Sequence, residues 1–175
     1  MRCRIRSVMT ASLLCAALAL AAADALAQEQ QHLSFKAGAE TSKYTQQTMI
    51  DVGDVSGHQI RVYEVHRTFA ANAPVINGMK MTEIWTRGAS DLIDGTGNSV
   101  TYGVYVMENG DKFFSRAVLV AQKVGPGKYT TMAAGTITSG TGKLAGIRGI
   151  IRTSGFAEPK AGVTETTYEF DYSME

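Results

Sequence analysis

Alternation of apolar and polar side chains is the feature of this sequence that most constrains its fold. From His58 to Met174 the period is close to two almost everywhere, and turn-forming residues close each run. Side chains alternate across a strand with this period, whereas a helix repeats every 3.6 residues or so. The pattern therefore predicts an antiparallel all-β domain with few helices.

Turn signals divide the chain into about eight strands. An ambiguous segment within residues 33–50 supplies one of them, and the connections at 87–91 and 94–98 are rich in Gly, Asp and Asn. Asn109-Gly110, between two alternating runs, predicts a type I′ hairpin, in which both central residues need a positive φ. The clear strands are predicted over residues 58–69, 78–86, 99–107, 112–123, 128–138, 149–156 and 163–174.

The stretch from Ser139 to Gly149 carries four glycines and a lysine between two strand-like runs: Gly140, Gly142, Lys143, Gly146 and Gly149. A phosphate-binding P-loop has four residues between its glycines and Ser or Thr after the lysine, and this stretch has neither. The glycines are therefore predicted to be structural, allowing positive φ and close backbone approach at a barrel corner.

This stretch resembles the Gly-Thr-Gly-Lys-apolar-x-Gly-x-x-Gly signature of the allene oxide cyclase-like and dirigent-like β-barrels. The resemblance extends over residues 91–174 and includes Gly-Asp-Lys-Phe at 110–113 and Tyr-Glu-Phe-Asp-Tyr at 168–172. It implies a closed antiparallel barrel of about eight strands, calycin-like in architecture. Such barrels often form dimers or trimers, so a homodimer or homotrimer is expected.

Members of this superfamily include plant enzymes that cyclise an epoxide and proteins that steer radical coupling. Others are exported bacterial proteins of unassigned activity, and the chain is most similar to these in length and in its N-terminal segment. A shared fold does not carry a shared activity. The resemblance therefore implies an architecture and leaves open whether the protein is an enzyme.

The N-terminal segment is predicted to be a signal peptide spanning residues 1–27. Three arginines among the first six residues precede an apolar run at 13–23, and Ala25-Leu26-Ala27 is a small-residue cleavage site. A run of about a dozen apolar residues is too short to span a bilayer, so no stable membrane insertion is expected after cleavage. The expected product is a single periplasmic or secreted domain over residues 28–175.

Cleavage would remove both cysteines, Cys3 and Cys15. Disulfides, Cys-ligated zinc and Cys nucleophiles are thereby excluded from the exported domain. The three histidines show no metal-ligand spacing, and no metal or other cofactor is predicted. Cleavage also leaves 14 basic and 15 acidic residues of the original 17 and 16. Because the basic residues are scattered and form no basic stripe, no nucleic-acid partner is expected.

The last predicted strand indicates what the barrel interior contains. One face carries Thr164, Thr166, Tyr168 and Phe170, and the other is acidic and must face outward. An apolar interior with a few hydroxyl groups suits a small-molecule pocket. Side chains that simply fill the lumen are an equally weighted alternative.

Two other strands carry ionisable groups on their more apolar faces. Glu64 and His66 share one such face, and Glu83 shares another with Met81 and Trp85. If these faces line the lumen, burial would raise the pKa of each glutamate and suit it to proton transfer. The alternative is that Glu64 and His66 face solvent, and strand parity does not decide between the two.

Three hypotheses follow for the function. The first, which we favour, is an exported barrel that binds a small apolar or aromatic molecule. A cyclase or isomerase that confines its substrate is the second, with Glu83 or Glu64 as the catalytic residue. The third is a filled barrel that oligomerises through outer side chains such as Phe114, Val118 and Val120. For the first hypothesis the candidate ligand-binding residues are Trp85, Arg116, Tyr168, Phe170 and His66, with Glu83 or Arg116 orienting the ligand.

Overall fold

The structure is a computed structural model that describes residues 29–175. The predicted signal peptide and its cleavage site lie outside the described residues. Residues 29–175 form ten strands and three short 3₁₀ turns and contain no α-helix, so the all-β prediction is confirmed. No helix that could span a membrane occurs in this part of the chain.

The strands match the alternating runs of the sequence closely. The segment at 33–50 is two strands rather than one, because a 3₁₀ turn at Ala39–Thr41 divides it. The strands are β1 (Gln31–Ala37), β2 (Ser42–Asp51), β3 (His58–Thr68), β4 (Val75–Ile76), β5 (Met79–Ile93), β6 (Thr96–Met107), β7 (Lys112–Gly125), β8 (Lys128–Gly140), β9 (Ile147–Glu158) and β10 (Val163–Met174).

All strand pairs are antiparallel and follow the order β1-β10-β9-β8-β7-β6-β5-β3-β2, with β4 paired to β5 alone. The order has two ends, and no ladder joins β1 to β2 within residues 29–175. Backbone hydrogen bonds therefore form one open sheet rather than the closed ring that the resemblance implies. The chain passes from one edge to the other through the turn at Ala39–Thr41, and β2 lies in contact with β10.

A register shift in β5 changes which of its side chains face inward. Met79 and Met81 are buried, the ladder to β6 shifts between Met81 and Glu83, and Ile84 is the next buried residue. A bulge of one residue reverses the parity of the strand beyond it. The prediction that Glu83 and Trp85 share a face with the two methionines is therefore wrong.

The connection predicted at 87–91 is also wrong, because β5 continues to Ile93. Gly88 pairs across the sheet with Tyr63, whose ring lies where a side chain at Gly88 would stand. This glycine makes room for an aromatic ring instead of breaking the strand. The chain turns later, at Asp94-Gly95, where both residues have positive φ values of 48° and 79°.

The hairpin at Asn109-Gly110 exists but is not of type I′. Of the two residues only Gly110 has a positive φ, of 87°. The N–H of Gly110 donates to the carbonyl of Met107 at 2.9 Å. This is the arrangement of a type I turn followed by a left-handed glycine, which forms a longer hairpin loop.

The glycine-rich stretch packs against this hairpin, so two of the three motifs that carry the resemblance are in contact. The backbone N–H of Lys143 donates to Asp111 Oδ2 at 2.9 Å, and Thr141 N–H donates to the carbonyl of Lys112 at 2.8 Å. Gly142 has a φ of 54°, and a side chain there would meet the Asp111 carboxylate. The pKa of Asp111 is lowered, and the hydrogen bond from the Lys143 N–H is the largest cause. At this corner Lys143 acts through its backbone.

Side chains fill one half of the space inside the curled sheet. Aromatic rings at the centre of this core stack or meet edge to face, such as Tyr105 on Phe113 at 4.2 Å and 6°. Methionine and aliphatic side chains complete it near the hairpin at 108–111. The fully buried members include Ile76, Met81, Ile84, Met107, Phe113, Leu144, Ile147 and Phe170.

Candidate functional site

The other half of the interior is a cavity of ≈ 710 Å³. It is lined from β2, β3 and β5 through β10, so the sheet curls around it. The inward face of β10 supplies Thr164, Thr166 and Tyr168, which confirms the predicted parity of this strand. The predicted interior is thus partly filled and partly open.

The cavity opens at the end of the sheet where four turns lie. Gly57, Gly95, Gly127 and Lys160 belong to these turns and line this end. The floor at the opposite end is made by Tyr105 and Tyr168, whose rings pack on Phe170 in the core. A ligand would therefore enter between the turns and meet an aromatic floor.

Two buried arginines on β3 line the cavity. Arg61, 9% exposed, donates from Nη2 to Gln47 Oε1 at 2.6 Å. Its guanidinium lies 4.9 Å from the ring centroid of Tyr44 and 4.8 Å from that of Tyr63. Attraction of a cation to two aromatic faces offsets part of the cost of burying the charge.

Arg67 lies deeper, near the floor, and is 4% exposed. Its Nη1 donates to Thr86 Oγ1 at 3.1 Å and its Nη2 to Thr166 Oγ1 at 3.2 Å. The Nε atoms of Arg61 and Arg67 are buried without a hydrogen-bond partner among the described residues. Neither arginine forms an ion pair within residues 29–175. Because β3 and β10 are far apart in the strand order, Arg67 also links the two ends of the sheet.

The remaining polar groups of the lining are mainly neutral hydroxyls. Tyr105 hydrogen-bonds to Ser115 at 3.0 Å, and Ser90 hydrogen-bonds to Ser99. Burial raises the pKa of both Tyr63 and Tyr105, so their phenols stay protonated and supply no negative charge. Asp94, at the open end, is the one acidic residue among the described lining side chains, and it binds Lys123 at 2.7 Å.

Glu64 lies on the outer face of β3 and does not line the cavity. Its Oε1 accepts from Thr45 Oγ1 at 2.6 Å, and its Oε2 binds Arg87 Nη2 at 2.8 Å. The Thr45 hydroxyl, followed by Arg87, lowers the pKa of Glu64. Glu64 therefore follows the alternative in which it faces away from the lumen, and its hydrogen bonds outweigh the partial desolvation of its carboxylate.

Glu83, His66 and Trp85 form a cluster on the same outer face. Glu83 Oε2 lies 3.0 Å from His66 Nε2 and accepts from Trp85 Nε1 at 2.8 Å. The imidazole stacks on the indole at 3.8 Å between centroids and 11° between planes. The structure thus brings together three residues that the sequence singled out, on the opposite side of the sheet from the cavity.

The other predicted ligand-binding residues are also separated. Tyr168 lines the cavity, whereas Phe170 lies beneath it in the core. Arg116 is exposed on the outer face of β7, beside Val118 and Val120, which are 56% and 51% exposed. Assembly of two or three copies through this outer apolar face stays a prediction. No group of three His, Cys, Asp or Glu side chains among residues 29–175 could hold a metal ion.

Sequence reasoning missed the two arginines that the cavity buries. Arg61, Tyr63, Val65 and Arg67 occupy alternate positions on β3 and face inward. The sequence does show that this face of β3 carries two arginines beside two apolar side chains, a composition typical of neither a core face nor a solvent face. Because a charged residue is seldom buried without a partner, the alternating pattern alone did not predict that this face points into the cavity.

His58 fastens one of the turns at the open end. Its Nδ1 lies 2.6 Å from Asp54 Oδ1 in the turn before β3, and its Nε2 lies 2.8 Å from Asp91 Oδ1 on β5. The hydrogen bonds to Asp91, the larger cause, and to Asp54 raise the pKa of His58. The N–H of Val55 lowers the pKa of Asp54, which therefore stays ionised in mild acid.

We expect the ion pairs of His58 with Asp54 and Asp91 to stabilise the protein most in mildly acidic solution. A raised histidine pKa contributes stability that is complete below the unfolded-state value of about 6.5 and is lost as the pH rises through the folded-state value. Thermal unfolding of the wild type and of His58→Gln at pH 5.5 and 8.5 measures the effect. The difference in Tm should be larger at pH 5.5, and an equal or reversed difference would contradict it.

Comparison with known proteins identifies no relative: no family model, curated protein or solved structure matches the chain. The function must therefore be argued from the geometry of the cavity.

Proposed function

We propose that this protein is an exported small β-barrel that binds a small apolar or aromatic molecule in its lumen. The observation that carries the proposal is the cavity of ≈ 710 Å³. Ligand sites in proteins are commonly about 300–1,000 Å³, largely apolar, with a few polar groups that fix orientation. Val65, Leu119 and Ile151 supply apolar lining, and Tyr63 and Tyr168 supply aromatic lining.

Closure of the barrel is part of this proposal. The two ends of the sheet approach each other where the edge strand β2 contacts β10, the neighbour of the other edge strand β1. The Arg67 guanidinium also hydrogen-bonds to Thr166 on β10. A curled sheet held at its seam by side chains can enclose a ligand without a continuous backbone ladder. The export signal predicted in residues 1–27 supports an extracytoplasmic location.

Substrate confinement by a cyclase receives less support from the cavity. Its two candidate catalytic residues, Glu64 and Glu83, lie on the outer face. A catalytic acid or base must come within hydrogen-bond reach of the reacting group. Ligand binding requires no such residue and is the function that the geometry supports best.

Binding can be tested with an uncharged solvatochromic dye such as Nile red. Wild-type protein should raise and blue-shift the dye emission with saturation at one dye per chain. Ala133→Trp places an indole on the lumen face of β8 and should abolish binding. Ala134→Trp places the same side chain on the exposed outer face and is the matched control. Absence of saturable binding to wild type, or equal binding by both variants, would contradict the proposal.

A further inference from the structure

We propose that the cavity is a receptor for an organic carboxylate, whose acid group is bound by Arg67 near the floor and whose apolar body points toward the open end. This inference rests on the proposed function, because it names the class of ligand that the same cavity takes. It goes beyond that function by stating the charge of the ligand, the direction in which the ligand lies in the cavity and the residue that binds its acid group.

The burial of Arg67 is the first observation. A guanidinium has five N–H donors and no acceptor, and Arg67 makes two hydrogen bonds, both to neutral threonine hydroxyls. Its Nε is buried with no partner among the described residues. Burying a charge is costly unless it is paired and hydrogen-bonded. The guanidinium also lies 5.7 Å from the ring centroid of Tyr168, but neither an aromatic face nor a hydroxyl neutralises its charge. The missing partner is an anion.

The charges around the cavity point in the same direction. Arg61 and Arg67 line it, and Lys160 lines its open end. The one acidic residue of the described lining, Asp94, is already paired with Lys123. The lining is therefore electropositive and would attract a negatively charged ligand.

The two threonines complete the proposed anion site. The hydroxyls of Thr86 and Thr166 accept hydrogen bonds from Arg67, so each has its own proton to donate. Thr86 is on β5 and Thr166 is on β10, which places these donors on either side of the guanidinium. A planar carboxylate could accept from the guanidinium and from a hydroxyl at the same time.

One arginine fits a singly charged acid group. Arg61 and Arg67 are six residues apart on an extended strand, which separates their Cα atoms by about 20 Å. Arg61 is also already engaged by Gln47 and two aromatic rings. A phosphate dianion at Arg67 would carry a second negative charge that no nearby buried cation neutralises. A carboxylate brings one charge, which Arg67 balances.

The experiment compares a carboxylate with a neutral isostere. Decanoate and decanamide, both below their aggregation limits, compete with Nile red for the purified wild-type protein. A charge-assisted contact to Arg67 should make decanoate bind about 10- to 100-fold more tightly than decanamide. Arg67→Met should reduce this preference to about onefold while retaining the dye, and Arg116→Met on the outer face should leave it unchanged.

The outcomes separate this inference from the proposed function. Dye binding with equal affinity for the two competitors overturns the carboxylate and leaves small-molecule binding in place. Retention of the preference by Arg67→Met overturns the assignment of the anchor. Absence of dye binding to wild type overturns both. If Arg67→Met does not fold, as judged by circular dichroism, Arg67→Gln takes its place, and the wild-type comparison is decisive for the ligand class.

Discussion

Arg67→Met is expected to raise the free energy of unfolding of the ligand-free protein by about 1–4 kcal/mol, the range found when buried ion pairs are replaced by apolar side chains of similar volume. Arg67 is 4% exposed and lacks an ion-pair partner among the described residues. Methionine fills similar space with a flexible side chain and carries no charge. Urea unfolding in ligand-free buffer measures the change.

Two controls distinguish this effect from a general gain in apolar surface. Arg116→Met makes the same substitution on the exposed outer face and should change stability by about 0.5 kcal/mol or less. Arg67→Lys keeps the buried charge and should give no stabilisation. If the hydrogen bonds of Arg67 to Thr86 and Thr166 contribute more stability than burial of its charge costs, the methionine variant will lose stability. Such a loss would argue against a site that is incomplete without a ligand.

A carboxylate ligand should stabilise the wild type more than Arg67→Met and so reduce the difference in stability between them. A molecule that binds only the folded state stabilises it by RT ln(1 + [L]/Kd), about 2.7 kcal/mol at a concentration of 100 Kd. Decanoate at 100 times its wild-type Kd should therefore stabilise the wild type by this amount and Arg67→Met, which it binds about 10- to 100-fold more weakly, by only about 0.4–1.4 kcal/mol. This comparison uses the same unfolding measurement and needs no dye.

Phe170→Ala is expected to lower the free energy of unfolding by about 3–5 kcal/mol. The ring is 0% exposed and lies 5.3 Å from the Tyr105 centroid and 5.6 Å from that of Phe113. Its removal leaves a void beneath the cavity floor and deletes edge-to-face contacts. For a domain with a typical stability of about 5–15 kcal/mol, the loss is a large fraction of the total.

The matched control is Phe114→Ala, which removes a half-buried ring from the outer face of β7. We expect a clearly smaller loss, since this ring is not enclosed. Urea unfolding of both variants gives the comparison, with equal m-values indicating that the unfolded states are alike. Equal losses would mean that the filled half of the interior contributes no more than the surface does.

Strand positions were predictable where one face of the strand is uniformly buried. The predicted strand at 163–174 is β10, Val163–Met174, and its alternating pattern also gave the correct inward face. Threonines and aromatic residues alternate there with acidic residues, and an acidic face must lie in water. Burial of one face strongly specifies register.

Three features depended on contacts that the sequence alone does not reveal. The parity of β5 changes at a bulge after Met81, and a bulge has no reliable local signature. Gly88 continues a strand because Tyr63 covers it from the neighbouring strand. Arg61 and Arg67 point inward because the cavity leaves room for them. For the same reasons the sequence did not assign Arg61 and Arg67 to the cavity lining, and Tyr168 is the predicted ligand-binding residue that lines the cavity.

The division of the interior into a packed core and a cavity affects which substitutions this protein can accept during evolution. Most of the fully buried side chains lie in the half around Phe113 and Phe170, whereas Ala133, Thr131 and Leu119 border empty space. Substitutions that cost little stability pass selection more readily than those that unfold the chain. If the cavity binds a ligand as proposed, substitutions in its wall could change the ligand preference of this chain while the glycine-rich stretch at 139–149 and the aromatic core are retained.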